Sequence, residues 1–539
     1  MPQKDIWSKC EQAFMLILAP ALFLLCCFIF SRNLFMVFGA SDTAWLIKTG
    51  QVIVEHGLPR LDPFSYTCPD RPIVIYQWLF TVFAFLAYKL GGLWLVGLAT
   101  AILLAITYLW LLPSMMLGQG VRAVYVFGLL CMTSMPAWYW ARPQVVSFLL
   151  ITVFAFILER FRHKGYERRL WALPLLMVLW ANLHSFWFVG LFMVSAYMIP
   201  AGLKAAGPER RRLALILSFS FLAVLLNPYG IGLVQYNLSF LTEPDFSTIG
   251  ELQPHLFLYP YSNRAPLIYL ALAWLAIICG RKNLPKTPLL LGLIFTIVGL
   301  KHYRFVPVSI LLTWPYLGLA LSKFHFSSTE GSVSSFKRVF EKSLPALALC
   351  LTSFAFVNRF APGKPVWFMH ANSNQGAIAF LKQHPELNSR LFCDSAIGCS
   401  LILEDMGPVF IDNRFDFYGK KFCDDFTACV GATGDWQAYL ARWGIKSVVI
   451  DDDRTLFGEL IKSSWLYVFD DGNCSIWLKD DLEGRALYTR LKMAVSDKPS
   501  EPRMAMGSQA AASGSRRPLT TSAMQTSCSM KKPSTTTPP

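Results

Sequence analysis

Long apolar runs separated by short polar turns fill the first two thirds of the chain. "FMLILAPALFLLCCFIF", "VVSFLLITVFAFIL" and "PLIYLALAWLAIICG" are examples, and with lengths of about 15–22 residues such runs suit the hydrocarbon core of a bilayer. The pattern predicts membrane spans rather than core helices. The first run reads as an uncleaved anchor, because it is long and the "GASDTA" after it resembles a helix entry more than a processing site. Residues 77–112 are long enough for two spans, yet an N-terminus and an "ERFRHK" loop on the same side require an odd number. The expectation is therefore about eleven spans, with part of 77–112 tilted, re-entrant or interfacial.

Beyond the run "LPALALCLTSFAFV" the pattern changes to that of a globular unit. Strand candidates "RLFCDS", "PVFIDN", "SVVIDD" and "WLYVFDD" alternate with helical stretches such as "GAIAFLKQH" and "DWQAYLARW". The fold class expected is an all-α polytopic membrane module over 1–360, including an outer loop at 31–76, followed by an extracytoplasmic α/β domain over 361–486. The Ser/Thr/Pro-rich remainder, 487–539, lacks the apolar residues to order itself.

Composition agrees with this division. The 539 residues are 54% hydrophobic and 15% charged, and the mean hydropathy is +0.42. A net charge of +15 invites a nucleic-acid reading, but the cations sit in short loops between apolar runs, so charge reports orientation and nucleic acid is excluded as a partner. "ERFRHKGYERR", "KAAGPERRR", "GRKNLPK" and the weaker "SSFKRVFEK" belong in the cytoplasm by the positive-inside rule, as does the N-terminus. "WYWARPQ", the turn "WANLHSF", the segment from Asn227 to Pro266 and "KHYRF" then share the outer face of the membrane. Thirteen cysteines show no CxxC pair or zinc spacing. Five of them, Cys393, Cys399, Cys423, Cys429 and Cys474, lie in the α/β unit, where their odd number leaves disulfide pairing open.

Several polar residues stand out on the outer face. Asp42 opens the amphipathic stretch "TAWLIKTGQVIVEHG", where an acid suits a helix start; Trp45, Leu46, Ile53 and Val54 suit a helix lying in the membrane interface. A carboxylate at that depth is also placed to act as a base on a lipid-borne substrate. Lys301, His302 and Arg304 in "KHYRF" stand where the insertion rule disfavours cations; they are either headgroup anchors or a phosphate clamp, which Arg142 could join. Glu243, Asp245 and Glu251 add acids on the same face, and His184 adds a hydrogen-bonding group. Asp412, Arg414 and Asp416 form an expected exposed cluster in the outer domain, which reads alternatively as a salt-bridged loop.

These features together resemble the GT-C glycosyltransferases: a first span leading to an outer loop with the early Asp42, the "GLP…DPFSYT" continuation, the "RPQ" turn, "WANLH", and Lys301 with Arg304. That superfamily includes protein O-mannosyltransferases and aminoarabinose transferases of lipid A, and the "VFIDNRFDFYG" segment resembles a bacterial branch with a globular C-terminal domain. The resemblance covers roughly 10–480 and implies an inverting glycosyltransferase that moves a sugar from a polyprenyl-phosphate donor to an envelope glycan, lipid or protein. It implies Asp42 as the catalytic residue; the reading of the residues themselves adds Arg142, Lys301, His302 and Arg304 on the donor phosphate and His184, Glu243 and Glu251 orienting the acceptor. The partners implied are the polyprenyl-phosphate sugar and membrane lipid. No cofactor is marked, and a divalent metal stays open because Asp42 is followed by Thr and Ala instead of a second acid. The alternatives are a transporter or flippase for a lipid-linked anion, and a non-catalytic envelope-assembly protein.

Overall fold

The computed structural model describes residues 42–107, 138, 140–242, 265–279, 284–321 and 374–495. The first apolar run, residues 243–264 with Glu243, Asp245 and Glu251, the run at 344–357 and the tail beyond 495 lie outside the described residues. The helical part consists of α1 (Asp42–His56), α2 (Trp78–Ala105), α3 (Gln144–Lys164), α4 (Ala172–Leu183), α5 (Trp187–Lys204), α6 (Gly207–Ala223), α7 (Ile231–Thr242), α8 (Ala265–Cys279), α9 (Lys286–Lys301) and α10 (Val306–Leu321). Among the described residues, α3, α5 and Trp78–Leu104 within α2 are long and apolar enough to cross a membrane, and Pro266–Cys279 is a shorter apolar helix.

The ambiguous stretch at 77–112 has a simple local cause. Within α2, Gly91 (φ −152°, ψ 22°) and Gly92 (φ 62°, ψ −162°) leave helical geometry, and the second is a left-handed conformation that side chains with a Cβ avoid. The stretch is a broken helix. Phe83, Leu86, Leu90, Trp94, Leu98 and Ile102 form an exposed apolar stripe along it at helical spacing, as expected of a face turned to lipid instead of water.

Helices α3 and α5 run in the same direction, Ser147 lying against His184 and Glu159 against Tyr197, and separate two kinds of turn. At one end, Tyr197 hydrogen-bonds Glu159, which also pairs with Arg162 at 2.7 Å. Arg160 pairs with Glu167 at 2.7 Å and Arg212 stacks on Tyr166 at 5.2 Å, so the basic loops cluster there. At the opposite end Trp78 donates to Asn182, Asn182 donates to the Leu226 carbonyl, and Tyr229 accepts from the Ile75 amide. The polar turns expected to share a face do share an end of the bundle.

The C-terminal unit comprises α11 (Gln375–Gln383), β1 (Leu391–Cys393), α12 (Ser395–Leu403), α13 (Phe415–Tyr418), α14 (Lys420–Val430), α15 (Trp436–Arg442), β2 (Ser447–Asp451), α16 (Thr455–Lys462), β3 (Leu466–Asp470), β4 (Cys474–Leu478) and α17 (Leu482–Val495). Its sheet has the order β1-β2-β4-β3, with β1 parallel to β2 and the other pairs antiparallel. β1, β2 and β4 are almost wholly buried, while β3 is a half-exposed edge. That explains the unbroken apolar run of β2: both its faces are covered. β4 was not among the expected strands, and "PVFIDN" does not join the sheet. Its Val409 instead exchanges backbone hydrogen bonds with Phe64 and Tyr66 of the first outer loop, at 2.8 and 3.1 Å. The last helix runs to Val495, past the boundary expected at 486, because Leu487 and Leu491 are buried in the core of this unit. Cys393, Cys399, Cys423, Cys429 and Cys474 are all free thiols.

That core is not made by the C-terminal unit alone. Ala44, Trp45 and Leu46 of α1 and Phe64 of the following loop belong to it. The expectation of α1 as a helix lying in the membrane interface is therefore corrected: its first half is buried by protein, although Val54 remains exposed. The helix is held on its other side by α2, where a Cβ on Gly50 would come within 1.9 Å of the Thr81 carbonyl oxygen.

The cluster expected to be exposed is buried as well. Asp412 is 0% and Arg414 4% exposed. Arg414 forks onto both oxygens of Asp412 at 2.8 and 2.6 Å and reaches Asp62 of the first loop at 2.6 Å. Tyr418 donates to Asp412 at 2.9 Å and the Ser65 amide donates to Asp62 at 2.9 Å. Phe417, Phe64 and Trp45 enclose the guanidinium at 5.0, 5.2 and 5.8 Å. Burial opposes the charge, but Asp412, then Tyr418 and Asp62, hold Arg414 well above its usual pKa. Arg414→Ala would leave two buried carboxylates without a cation and is expected to cost about 3–5 kcal/mol, read as lower yield of folded protein and a lower melting temperature in detergent. Arg414→Lys is expected to recover only part of this, since an ammonium cannot span both acids in the same fork.

Two further acids give the unit a pH dependence. Burial, then Asp394, pushes Asp451 up to about 6, and burial, then Asp470, pushes Asp452 up to about 7, both from 3.8. Between the unfolded and folded values the native state holds protons that the unfolded chain has released, so this contribution to stability falls as pH rises from about 4 to about 7. Full-length protein carrying Asp451→Asn and Asp452→Asn should show a flatter change in melting temperature between pH 5 and pH 7.5 than the parent.

Candidate active site

The starts of α1 and α3 are fastened together. Thr43 donates its hydroxyl proton to the Ala141 carbonyl at 3.1 Å, which sets Asp42 beside Arg142. Asp42 Oδ2 and Arg142 Nε lie 3.0 Å apart, with the side chains 22% and 12% exposed. Arg142 also stacks over Trp140 at 4.5 Å. Asp42 is the first residue of α1, where its charge suits the helix dipole, but its ion pair reaches across to another helix. The expected base and one expected phosphate ligand thus form one ion pair.

The turn between α9 and α10 reaches the same end. Tyr303–Phe305 form a 3-10 turn. Tyr303 packs on Trp138 at 4.4 Å, and Phe305 stacks on Phe186 at 5.1 Å. Arg304 sits over Phe186 at 5.5 Å and lies close enough to Tyr76 for its charge to act on the phenol. Tyr76 stacks on Tyr236 of α7 at 5.6 Å, and Tyr236 donates to Asp416 of α13 at 2.8 Å. Burial pushes the Tyr76 phenol up to about 12; Arg304 opposes that rise, and the charges of Asp416 and Asp42 add to it. Asp42, Arg142, Tyr76, Tyr236, Arg304 and Asp416 are all half-buried; this set is the candidate cleft. Lys301 is exposed at the end of α9, and His302 is half-buried. Alongside, an open groove of about 620 Å³ runs between Trp78, Leu79, Leu175, Asn182, Leu226 and Pro228.

No protein-family model matches the chain, and no curated protein matches it. Among solved structures it is similar to the crystal structure of ArnT from Cupriavidus metallidurans bound to undecaprenyl phosphate, with 15% sequence identity and a TM-score of 0.47, covering 86% of this chain and 97% of that one. At that identity and score the likeness assigns neither a substrate nor a site to this chain.

His184 departs from its expected place. It lies in the predicted turn between α4 and α5, but it is 1% exposed. Its Nδ1 is 2.7 Å from Ser147 Oγ, which accepts from Trp180 Nε1 at 2.8 Å. The indole can only donate, and the hydroxyl has a second lone pair as well as its proton, so the Ser147–His184 bond follows the tautomer of the imidazole. His184 is an interior support beneath Phe186, whose ring is 4.6 Å away. Among the described residues no group of three or more His, Cys, Asp or Glu side chains could hold a metal ion. Tyr76 and Tyr236 were not singled out from sequence, because aromatic residues near span ends are ordinary interfacial anchors. Ser147→Ala would leave the indole N–H and the imidazole nitrogen buried without partners. A loss of about 1–3 kcal/mol is expected, read as a lower melting temperature, with Ser147→Thr closer to the parent.

Proposed function

We propose that this protein is a membrane glycosyltransferase that moves a sugar from a polyprenyl-phosphate donor to an envelope acceptor at the outer face of the cytoplasmic membrane. The observation that carries the reading is the pairing of Asp42 with Arg142 at 3.0 Å in a half-buried cleft that also holds Arg304 and its Tyr76 contact. An acid and two guanidiniums at one end of an apolar bundle suit a reaction between a hydroxyl and a lipid-borne phosphate. The donor's isoprenoid tail would leave along the apolar groove beside Trp78, and its phosphate would meet Arg304, with Arg142, Lys301 and His302 around it.

In the step proposed, the acceptor oxygen attacks the anomeric carbon while the bond from that carbon to the phosphate oxygen breaks. The bonding electrons leave with the polyprenyl phosphate, and the acceptor proton passes to the Asp42 carboxylate. Arg142 orients that carboxylate. Arg304 meets the negative charge that grows on the departing phosphate, where a preorganised donor contributes most. The C-terminal unit covers the same end of the bundle through Tyr236 and Asp416.

Cells lacking the protein should accumulate a polyprenyl-phosphate sugar in their lipid extracts. Asp42→Asn should fail to clear it at normal protein abundance, with turnover down by roughly 10²–10⁴-fold, because Asn can still accept a hydrogen bond from Arg142 but cannot take the proton. Arg304→Lys should weaken undecaprenyl phosphate binding in purified protein, since a fork is replaced by a point charge. Unchanged lipid extracts, or undiminished clearance by Asp42→Asn, would overturn the assignment.

A further inference from the structure

One part of the cleft is unused by the chemistry above, and it comes from the C-terminal unit. Asp416 lies on α13, in the "RFDFYG" segment, and is anchored at the cleft by the Arg414 fork two residues earlier and by Tyr236 at 2.8 Å. Among the described residues it accepts that one hydrogen bond and forms no ion pair, whereas an ionised carboxylate has about four acceptor sites. Beside it Tyr76 and Tyr236 stack, with centroids 5.6 Å apart and planes inclined by 30°. The charges of Arg304 and Asp42, like that of Asp416, act on the Tyr76 phenol.

We propose that Asp416 and the Tyr76–Tyr236 stack form the wall that recognises the sugar of the donor, so that the C-terminal unit supplies a specificity-determining residue to the membrane-embedded site. The inference rests on the function proposed above. A pyranose ring has hydroxyls around its edge and carbon-bound hydrogens on its faces. A carboxylate with spare acceptor sites suits the edge, and an aromatic stack suits a face. In this scheme the phosphate meets Arg304 and the sugar meets Asp416. The wall accepts a neutral or aminated sugar and disfavours one bearing a carboxylate, which would face Asp416 directly. Tyr236 is a positioning residue in this scheme, because its hydroxyl fixes the rotamer of Asp416.

The test compares affinities of the purified full-length protein in lipid nanodiscs for undecaprenyl phosphate and for the same lipid carrying glucose, mannose, galactose or N-acetylglucosamine. In the parent protein at least one sugar should raise affinity about tenfold over the bare lipid, the scale of one or two well-made polar contacts. Asp416→Asn and Tyr236→Phe should each remove most of that gain while leaving affinity for bare undecaprenyl phosphate, and the melting temperature, close to the parent's. A gain that survives in both variants, or no gain from any of the four sugars, would overturn the wall. Equal loss for bare and sugar-bearing lipid would make Tyr236–Asp416 a structural strut and would overturn it too. Failure of the underlying function is read separately: Arg304→Ala that leaves bare-lipid binding intact removes the phosphate site, whatever Asp416 does.

Discussion

Arg414 carries its charge where water scarcely reaches, and the chain sustains it there by bringing both Asp412 and Asp62 to the guanidinium. A buried cation without partners is prohibitively costly, whereas one forked onto two acids is tolerated. Asp62 lies in the loop after α1 and Arg414 far along the chain, so meeting this requirement closes the first outer loop onto the C-terminal unit. The backbone exchange between Phe64, Tyr66 and Val409 runs alongside the fork. Trp45 and Phe64 both line the guanidinium and belong to the core of that unit. The C-terminal unit is thus completed by residues that precede every described membrane-spanning helix.

That closure positions the cleft. Once α1 is held between α2 and the C-terminal unit, its first residue cannot drift, and Thr43 fixes it against the start of α3. Asp42 then meets Arg142. The same fork holds α13, whose Asp416 reaches Tyr236. Six segments distant in sequence supply the half-buried residues of the cleft, and none forms it with its sequence neighbours. A site of this kind is sensitive to packing far from its chemistry, because displacing a reacting group by about 1 Å can cost about 10²-fold in rate.

The bundle has a different organising constraint. Its helices satisfy their own backbone groups and can face lipid, which is why α2 tolerates a continuous exposed apolar stripe. Polar side chains inside it are correspondingly committed to one another: Ser147, His184 and Trp180 form a closed chain, as do Trp274, Thr296 and Ser309. The candidate cleft lies at the end where the polar turns gather, while the opposite end gathers the cations around Glu159 and Glu167.

The periodicity and composition of the sequence by themselves determined the apolar helices, the change to an α/β unit, the strands β1, β2 and β3, and the segregation of basic and polar turns to opposite ends. Each of these is a local property: apolar length sets a span, alternation sets a strand, and charge in a short loop sets its side. The pairing of Asp42 with Arg142, the burial of His184 and Arg414, the failure of "PVFIDN" to enter the sheet and the arrival of Asp416 at Tyr236 were decided only by the tertiary structure. An ion pair or a shared core joins residues hundreds of positions apart, and a single chain carries no local mark of which acid will meet which guanidinium. Arg414 shows the difference most plainly. In sequence it is one charge in a polar run, and only the approach of Asp62 from the first loop makes it the buried joint on which the cleft depends.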